Sequence, residues 1–265
     1  MVKIGFIGLG NMAEAMIGGM LRKNIVTPDQ IIGSAKTGAT EEKMAAKYGI
    51  GICRGNEEVA CESETLILAV KPQFLAEVIE DIKNTVRENQ LIISIAAGKT
   101  LTWLAESFGK SLKLVRCMPN TPALVGEGCT GICVNERVKK DEMDYCITLM
   151  ESFGKASFVG ERLMDAVGAV SGSSPAYVFV FIEAMADGAV AAGMPRKQAY
   201  EFAAQAVLGS AKLVLERAEH PGELKDMVCS PGGTTIQGLK VLEERGFRGA
   251  VMDAIAACVE KSRQL

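Results

Sequence analysis

One histidine, His220, serves a chain of 265 residues, so no imidazole precedes position 220. Proton relays built on an earlier histidine, such as that of a histidine-dependent alcohol dehydrogenase, are thereby excluded. His220 itself sits beside Pro221 in an expected linker, and its expected role is a helix cap. The eight cysteines (Cys53, Cys61, Cys117, Cys129, Cys133, Cys146, Cys229 and Cys258) include no C-x-x-C pair, and no metal site is expected. No run approaches the roughly 20 apolar residues that span a bilayer. The apolar start at residues 2–7 leaves no room for a secretory signal, so reduced, mostly buried thiols in the cytoplasm are expected. Lysine and arginine are scattered and the net charge is -3, which offers neither a nucleic-acid groove nor a polybasic membrane patch.

What is present is ordinary globular composition, 48% hydrophobic and 23% charged, long enough for one large or two modest domains. Short apolar runs at 2–7, 31–35, 65–70, 91–96, 113–117, 131–135 and 156–159 read as strands. Helical patterns fall between several of them, notably at 12–21, 41–48, 74–86 and 141–153. Strands alternating with helices imply βαβ units, and continuous rather than alternating apolar strands imply a parallel, doubly wound sheet covered on both faces. Near residue 163 the texture changes to Ala-, Met-, Val- and Leu-rich helical segments, punctuated by Pro195, His220-Pro221 and Pro231-Gly232-Gly233. The expected organisation is an α/β dinucleotide-binding domain at 1–161 and an all-helical domain at 162–265. The segments 174–192 and 196–217 carry few charges on any face. A helix apolar all round is a buried helix, and in so small a domain that implies burial against a second copy.

Gly8-Leu9-Gly10-Asn11-Met12-Ala13 matches G-x-G-x-x-A between the first strand and first helix. Gly8 permits a tight turn, Gly10 lets backbone approach a pyrophosphate, and Ala13 allows close helix–strand packing. The helix start then offers N–H groups and a positive dipole end to phosphate. A glycine-rich turn of no function is the competing explanation, weakened because strand, loop, helix and second strand all fall in order. NAD sites place an acid about 20 residues on. No acid occurs between Ile31 and Thr40, where Ser34, Lys36 and Thr37 suit a 2′-phosphate. NADPH is therefore the expected cofactor, with NADH the alternative. Ala69-Val70-Lys71-Pro72 and Ala96-Ala97-Gly98 follow later strands, at the ends where such sheets bind ligands.

Cys229-Ser230-Pro231-Gly232-Gly233-Thr234-Thr235 opens a helix with a mobile backbone and several hydroxyls, a pocket for a carboxylate or a phosphate. An ordinary N-cap after a Pro-Gly turn explains the same residues. Ser171-Gly172-Ser173-Ser174-Pro175 is a second hydroxyl-rich helix start, with the same alternative. A reductase without an obvious acid needs a substrate that brings its own proton, as a protonated imine does.

Five stretches together resemble the pyrroline-5-carboxylate reductase family. They are Phe6-Ile7-Gly8-Leu9-Gly10-Asn11-Met12, Ala69-Val70-Lys71-Pro72, Met118-Pro119-Asn120-Thr121-Pro122, Gly172-Ser173-Ser174-Pro175-Ala176-Tyr177 and Ser230-Pro231-Gly232-Gly233-Thr234-Thr235-Ile236. The resemblance covers essentially the whole chain. It implies an N-terminal Rossmann domain, a C-terminal helical dimerisation domain assembled further into rings of dimers, and reduction of 1-pyrroline-5-carboxylate to L-proline. It implies that Ser230, Gly232, Gly233, Thr234 and Thr235 grip the substrate carboxylate, with the Thr235 hydroxyl near the ring nitrogen and Ser174 also at the substrate. It places Asn56 near the cofactor ribose and Ser34 near the 2′-phosphate, and it lets the substrate loop come from the partner subunit. A β-hydroxyacid dehydrogenase is the rival enzyme, but residues 168–185 lack the lysine it needs. A non-catalytic NADP sensor is the rival of another class, and it has no use for residues 230–235.

Overall fold

A computed structural model describes residues 3–264. Val2, in the first expected strand, lies outside them. Eight strands form one sheet in the order β3-β2-β1-β4-β5-β6-β7-β8. They are β1 Ile4–Ile7, β2 Ile31–Ser34, β3 Gly51–Ile52, β4 Thr65–Leu68, β5 Leu91–Ser94, β6 Lys113–Met118, β7 Gly128–Val134 and β8 Gly154–Phe158. The first six follow the doubly wound order that puts its switch point between β1 and β4. Helices α1 (Asn11–Arg22), α2 (Gly38–Tyr48), α3 (Asn56–Glu62), α4 (Pro72–Ile82), α5 (Leu101–Phe108) and α6 (Lys140–Glu151) connect them, and a single turn, α7 (Met164–Val167), comes after β8.

The sheet is not wholly parallel, as the apolar runs suggested. β7 pairs antiparallel with β6 in the register Cys117 to Ile132. Only a 3-10 turn, Thr121–Val125, joins them, too short for the dozen residues a parallel crossover requires. Three elements went unforeseen. β3 is two exposed residues with no apolar run, α3 is a seven-residue helix, and α5 is a short helix closed by left-handed Gly109.

Strand side chains alternate between two cores. Ile4, Phe6, Ile67, Ile93 and Val115 face Met16, Met20 and Phe153 on one side. Ile7, Leu66, Leu68, Ile92 and Leu114 face Val59, Leu75, Ile79 and Leu104 on the other. Each such burial contributes about 1.5–3 kcal/mol. The buried Arg116 guanidinium, on β6, pairs with Glu161 at 3.3 Å and Asp165 at 3.8 Å, and Asp165 also accepts from Ser262 Oγ at 2.8 Å.

By contact the chain falls into two compact units, one ending at Ser173 and regaining the C-terminal residues from Cys258, the other Ser174–Ala257. The second is all helix: α8 Ser174–Ala191, α9 Arg196–Arg217, α10 Pro221–Met227, α11 Thr234–Glu244 and most of α12, Phe247–Ser262. Small residues let α8 and α9 meet closely, with Ala186, Ala199 and Ala203 buried at the contact. Their other faces are open in the single chain: Phe179 is 61% exposed, Val180 64% and Phe202 67%. The helical run Glu161–Ala191 is long and apolar enough, by length and composition, to cross a membrane, contrary to the sequence expectation. Charges at Asp165, Glu183 and Asp187 interrupt it, which is why no long apolar run announces it.

Two glycines inside α1 have a packing reason. A Cβ at Gly19 would stand 2.7 Å from Phe153 Cβ and 2.9 Å from the Ser152 carbonyl, and one at Gly18 3.1 Å from the Tyr48 hydroxyl. Gly19→Ala is expected to lower stability by about 1–3 kcal/mol through this overlap, despite alanine's better helix propensity. The urea midpoint checks it, and an unchanged or raised midpoint contradicts the packing argument.

Candidate functional site

The loop from β1 to α1 has the geometry its glycines foretold. Gly8 adopts φ +96, and a Cβ there would stand 2.6 Å from the Ala69 carbonyl oxygen. The Gly8 N–H donates to Ser34 O at 2.9 Å, which ties the loop to β2. Gly10 is the N-cap of α1 and offers no side-chain cap, so the first-turn amides face outward beside open space, with nothing within 4 Å of a Cβ at Gly10. Ala13 is fully buried. Asn11 and Met12 open the helix. A pyrophosphate fits this cradle: uncapped amides, a dipole end and no obstructing side chain.

At the end of β2, buried Ser34 donates from Oγ to Asn56 Oδ1 at 2.9 Å, and Asn56 Nδ2 reaches Asp81 at 3.5 Å. A cavity of about 220 Å³ is lined by Gly8, Ser34, Lys36, Asn56, Val70 and Phe74, and by the acids Glu77 and Asp81. Lys36 Nζ lies 4.9 Å from the Phe74 ring centroid. Ala69 joins through its N–H to Ile7 O at 2.8 Å, and Lys71 and Pro72 form the cap and first residue of α4. Ala96, Ala97 and Gly98 (φ +75) follow β5 and do not line this cavity. A larger cleft of about 810 Å³, between α5 and residues 133–136 and 158–161, contains none of the expected site residues.

Three participants escaped the sequence reading. Glu41 Oε1 accepts from the Ala35 N–H at 2.8 Å; it stands one position beyond the acid-free stretch. Phe74 points away from the buried face of α4, which holds Leu75, Val78, Ile79 and Ile82, and that misplacement was the available signal. Asp81, further along the same helix, had none.

In the helical unit, Gly232 adopts φ +71 and the Gly233 N–H returns to Ser230 O at 3.0 Å. A Cβ at Gly233 would collide with Ser230 Oγ. Gly233 is the N-cap of α11 and provides no side-chain cap, leaving Thr234 and Thr235 at an uncapped helix start. Ser174 begins α8 directly after a π-helical turn, Gly168–Ser173. His220 is a cap: its Nδ1 accepts from the Gly222 N–H at 3.0 Å. None of the eight cysteines is in a disulfide. Burial pushes the Cys53 and Cys133 thiols up to about 11, which keeps both protonated at neutral pH. Among the described residues no cluster of His, Cys, Asp and Glu could hold a metal ion.

A family model described as pyrroline-5-carboxylate reductase dimerisation matches residues 161–265, and one described as NADP oxidoreductase, coenzyme F420-dependent, matches 3–98. Curated relatives named pyrroline-5-carboxylate reductase include one from Escherichia coli (strain K12), 49% identical over 99% of this chain and 98% of its own. Another, from Methanosarcina acetivorans, is 46% identical over 99% and 97%. The crystal structure of Plasmodium falciparum pyrroline carboxylate reductase with NADP bound superposes with a TM-score of 0.90 at 34% identity, covering 99% of this chain and 97% of that one.

The two loop glycines are expected to separate under mutation. Gly8→Ala strains a left-handed backbone against a carbonyl and lowers the melting temperature. Gly10→Ala fills open space at an N-cap, where alanine costs up to about 1 kcal/mol relative to glycine, and it abolishes the rise in melting temperature that NADPH gives the parent. A full NADPH shift in Gly10→Ala refutes the pyrophosphate assignment.

Proposed function

This chain belongs to the pyrroline-5-carboxylate reductase family, and on that premise we propose that it reduces the cyclic imine 1-pyrroline-5-carboxylate to L-proline with NADPH, the last step of proline synthesis, NADH serving less well. The observation that carries the proposal is the pairing of a pyrophosphate cradle at Gly8, Gly10, Asn11 and Met12 with an uncapped, hydroxyl-rich helix start at 230–235 in one chain. The bound dinucleotide supplies hydride to the imine carbon. The protein's own residues bind and orient. Ser34, Lys36 and Asn56 hold the ribose end, and Ala69, Val70, Lys71, Pro72, Ala96, Ala97 and Gly98 bring small side chains and backbone alongside the rest. Ser230, Gly232, Gly233 and Thr234, with Ser174, hold the substrate carboxylate. Thr235 places its hydroxyl at the ring nitrogen, which already carries the proton that the product amine retains. Positioning over the nicotinamide, rather than acid catalysis, then supplies most of the rate.

The matching dimerisation region supports a homo-oligomer. The open faces of α8 and α9 suit a homodimer through the C-terminal helices, with dimers assembled into a higher oligomer and α11 starts contributed by the partner copy. The functional boundaries are 1–161 for the dinucleotide domain and 162–265 for the dimerisation and substrate domain. Reduced thiols suit a reducing cytoplasm. No nucleic-acid or membrane partner is part of the proposal, and the apolar Glu161–Ala191 run serves the dimer.

Loss of NADPH absorbance on adding pyrroline-5-carboxylate tests the activity. NADPH binding without turnover of any imine would instead mark a sensor, and oxidation of hydroxyacids a β-hydroxyacid dehydrogenase. Thr235→Ala is expected to lower kcat about a hundredfold with little change in the KM for NADPH, and an unchanged kcat refutes its role. Lys36→Ala is expected to narrow the NADPH-to-NADH ratio of kcat/KM about tenfold. An unchanged ratio removes Lys36 from cofactor choice.

A further inference from the structure

Asn120 comes after β6 in the Met118-Pro119-Asn120-Thr121-Pro122 stretch, and nothing in the proposed chemistry uses it. It is buried, 7% exposed. A buried carboxamide requires partners, and here both ends go to backbone. Oδ1 accepts from the Cys129 N–H at 2.8 Å, and Nδ2 donates to the Ser171 carbonyl at 2.9 Å. Cys129 lies on β7, and Ser171 lies in the π-helical turn Gly168–Ser173.

The second bond ties the stretch after β6 to the π-helical turn that leads into α8. The turn also packs onto the stretch that carries Asn120: a Cβ at Gly172 would stand 3.0 Å from Met118 Cε, and one at Gly168 3.3 Å. Within the turn, Ser171 Oγ donates to Val167 O at 2.7 Å. π-Helical turns concentrate at functional sites, where the extra residue re-aims the chain beyond it. Here the chain beyond it begins with Ser174.

We propose that Asn120 is a positioning residue of the reductase: by bridging the Cys129 N–H on β7 and the Ser171 carbonyl, it fixes the turn that presents Ser174 to the substrate. The inference rests on the assignment of Ser174 to substrate binding. Asn120 touches neither substrate nor cofactor; it acts through the Ser171 peptide. Its loss therefore weakens the hold on pyrroline-5-carboxylate and spares the hold on NADPH.

Asn120→Asp, Asn120→Ala, Ser174→Ala and the double variant Asn120→Ala/Ser174→Ala in the full-length oligomer test this. At neutral pH the carboxylate introduced by Asn120→Asp still accepts from Cys129 but brings no proton to Ser171. The KM for pyrroline-5-carboxylate is then expected to rise about tenfold while that for NADPH stays within about twofold. Burial beside a carbonyl raises the pKa of the new acid. Kinetic constants across about pH 6–8 should then show the ratio of variant to parent kcat/KM climbing as the pH falls and the acid regains a proton to donate. Should Asn120→Asp not fold, a cycle replaces it. Because Asn120 acts through Ser174, Asn120→Ala is expected to lose less in the Ser174→Ala background than in the parent. A flat pH ratio, zero coupling in the cycle, or an equal rise in the KM for NADPH overturns the inference while leaving Ser174 in place. An unchanged substrate KM in Ser174→Ala overturns the assignment of Ser174, and the inference with it.

Discussion

Backbone passes so near backbone at Gly8 that no side chain fits, and the rest of the dinucleotide unit depends on that approach. β1 and β4 are neighbours at the point where the sheet reverses its winding. The chain leaving β1 must turn at once, within contact of the Ala69 carbonyl. Only a residue tolerant of positive φ and lacking a Cβ does both. Once it turns, the amides of α1 point into the crevice, and Gly8 N–H ties to the end of β2. Gly10 is different in kind: nothing in the protein crowds it, so packing does not require its lack of a side chain. One motif thus holds a glycine that the fold requires and one that it does not.

The helical unit is governed by a different constraint. Its internal core is a few alanines between α8 and α9, while phenylalanines and branched aliphatics stand open on the single chain. Apolar patches of this kind on a protein surface mark association. Covering each large side chain contributes about 1.5–3 kcal/mol, so a handful outweighs the small core the unit makes alone. A match to a dimerisation family over the same residues agrees with that arithmetic.

Most of the sheet was legible because its strands are buried on both faces and read as continuous apolar runs. What was lost was lost for local reasons. β3 has two exposed residues and is held by pairing with β2, not by its own pattern. The antiparallel turn of β7 was hidden because its apolar run shows only from 131; the strand starts at Gly128, and only then is the link after β6 too short for a parallel crossover. In the candidate site, Gly8, Gly10 and Ser34 were readable from spacing, because strand, turn and helix are contiguous. Asn56 stands 22 residues from its partner Ser34, and only a family resemblance pointed to it. Asn120 was visible as part of a motif, but its hydrogen bond is to a carbonyl 51 residues away.

Cofactor choice, under the proposed function, turns on where one ammonium is most stable. In this structure Lys36 lies over the Phe74 ring, a contact contributing about 0.5–1 kcal/mol at an exposed site. A 2′-phosphate would draw it into a charge-assisted bond of about 1.5–3 kcal/mol, so the exchange favours NADPH. A 2′-hydroxyl offers no comparable return, and Lys36 then stays where it is. Glu77 and Asp81 line the same cavity, and their charge opposes a phosphate. The preference for NADPH is therefore the Lys36 attraction less that opposition, and removing Lys36 diminishes it.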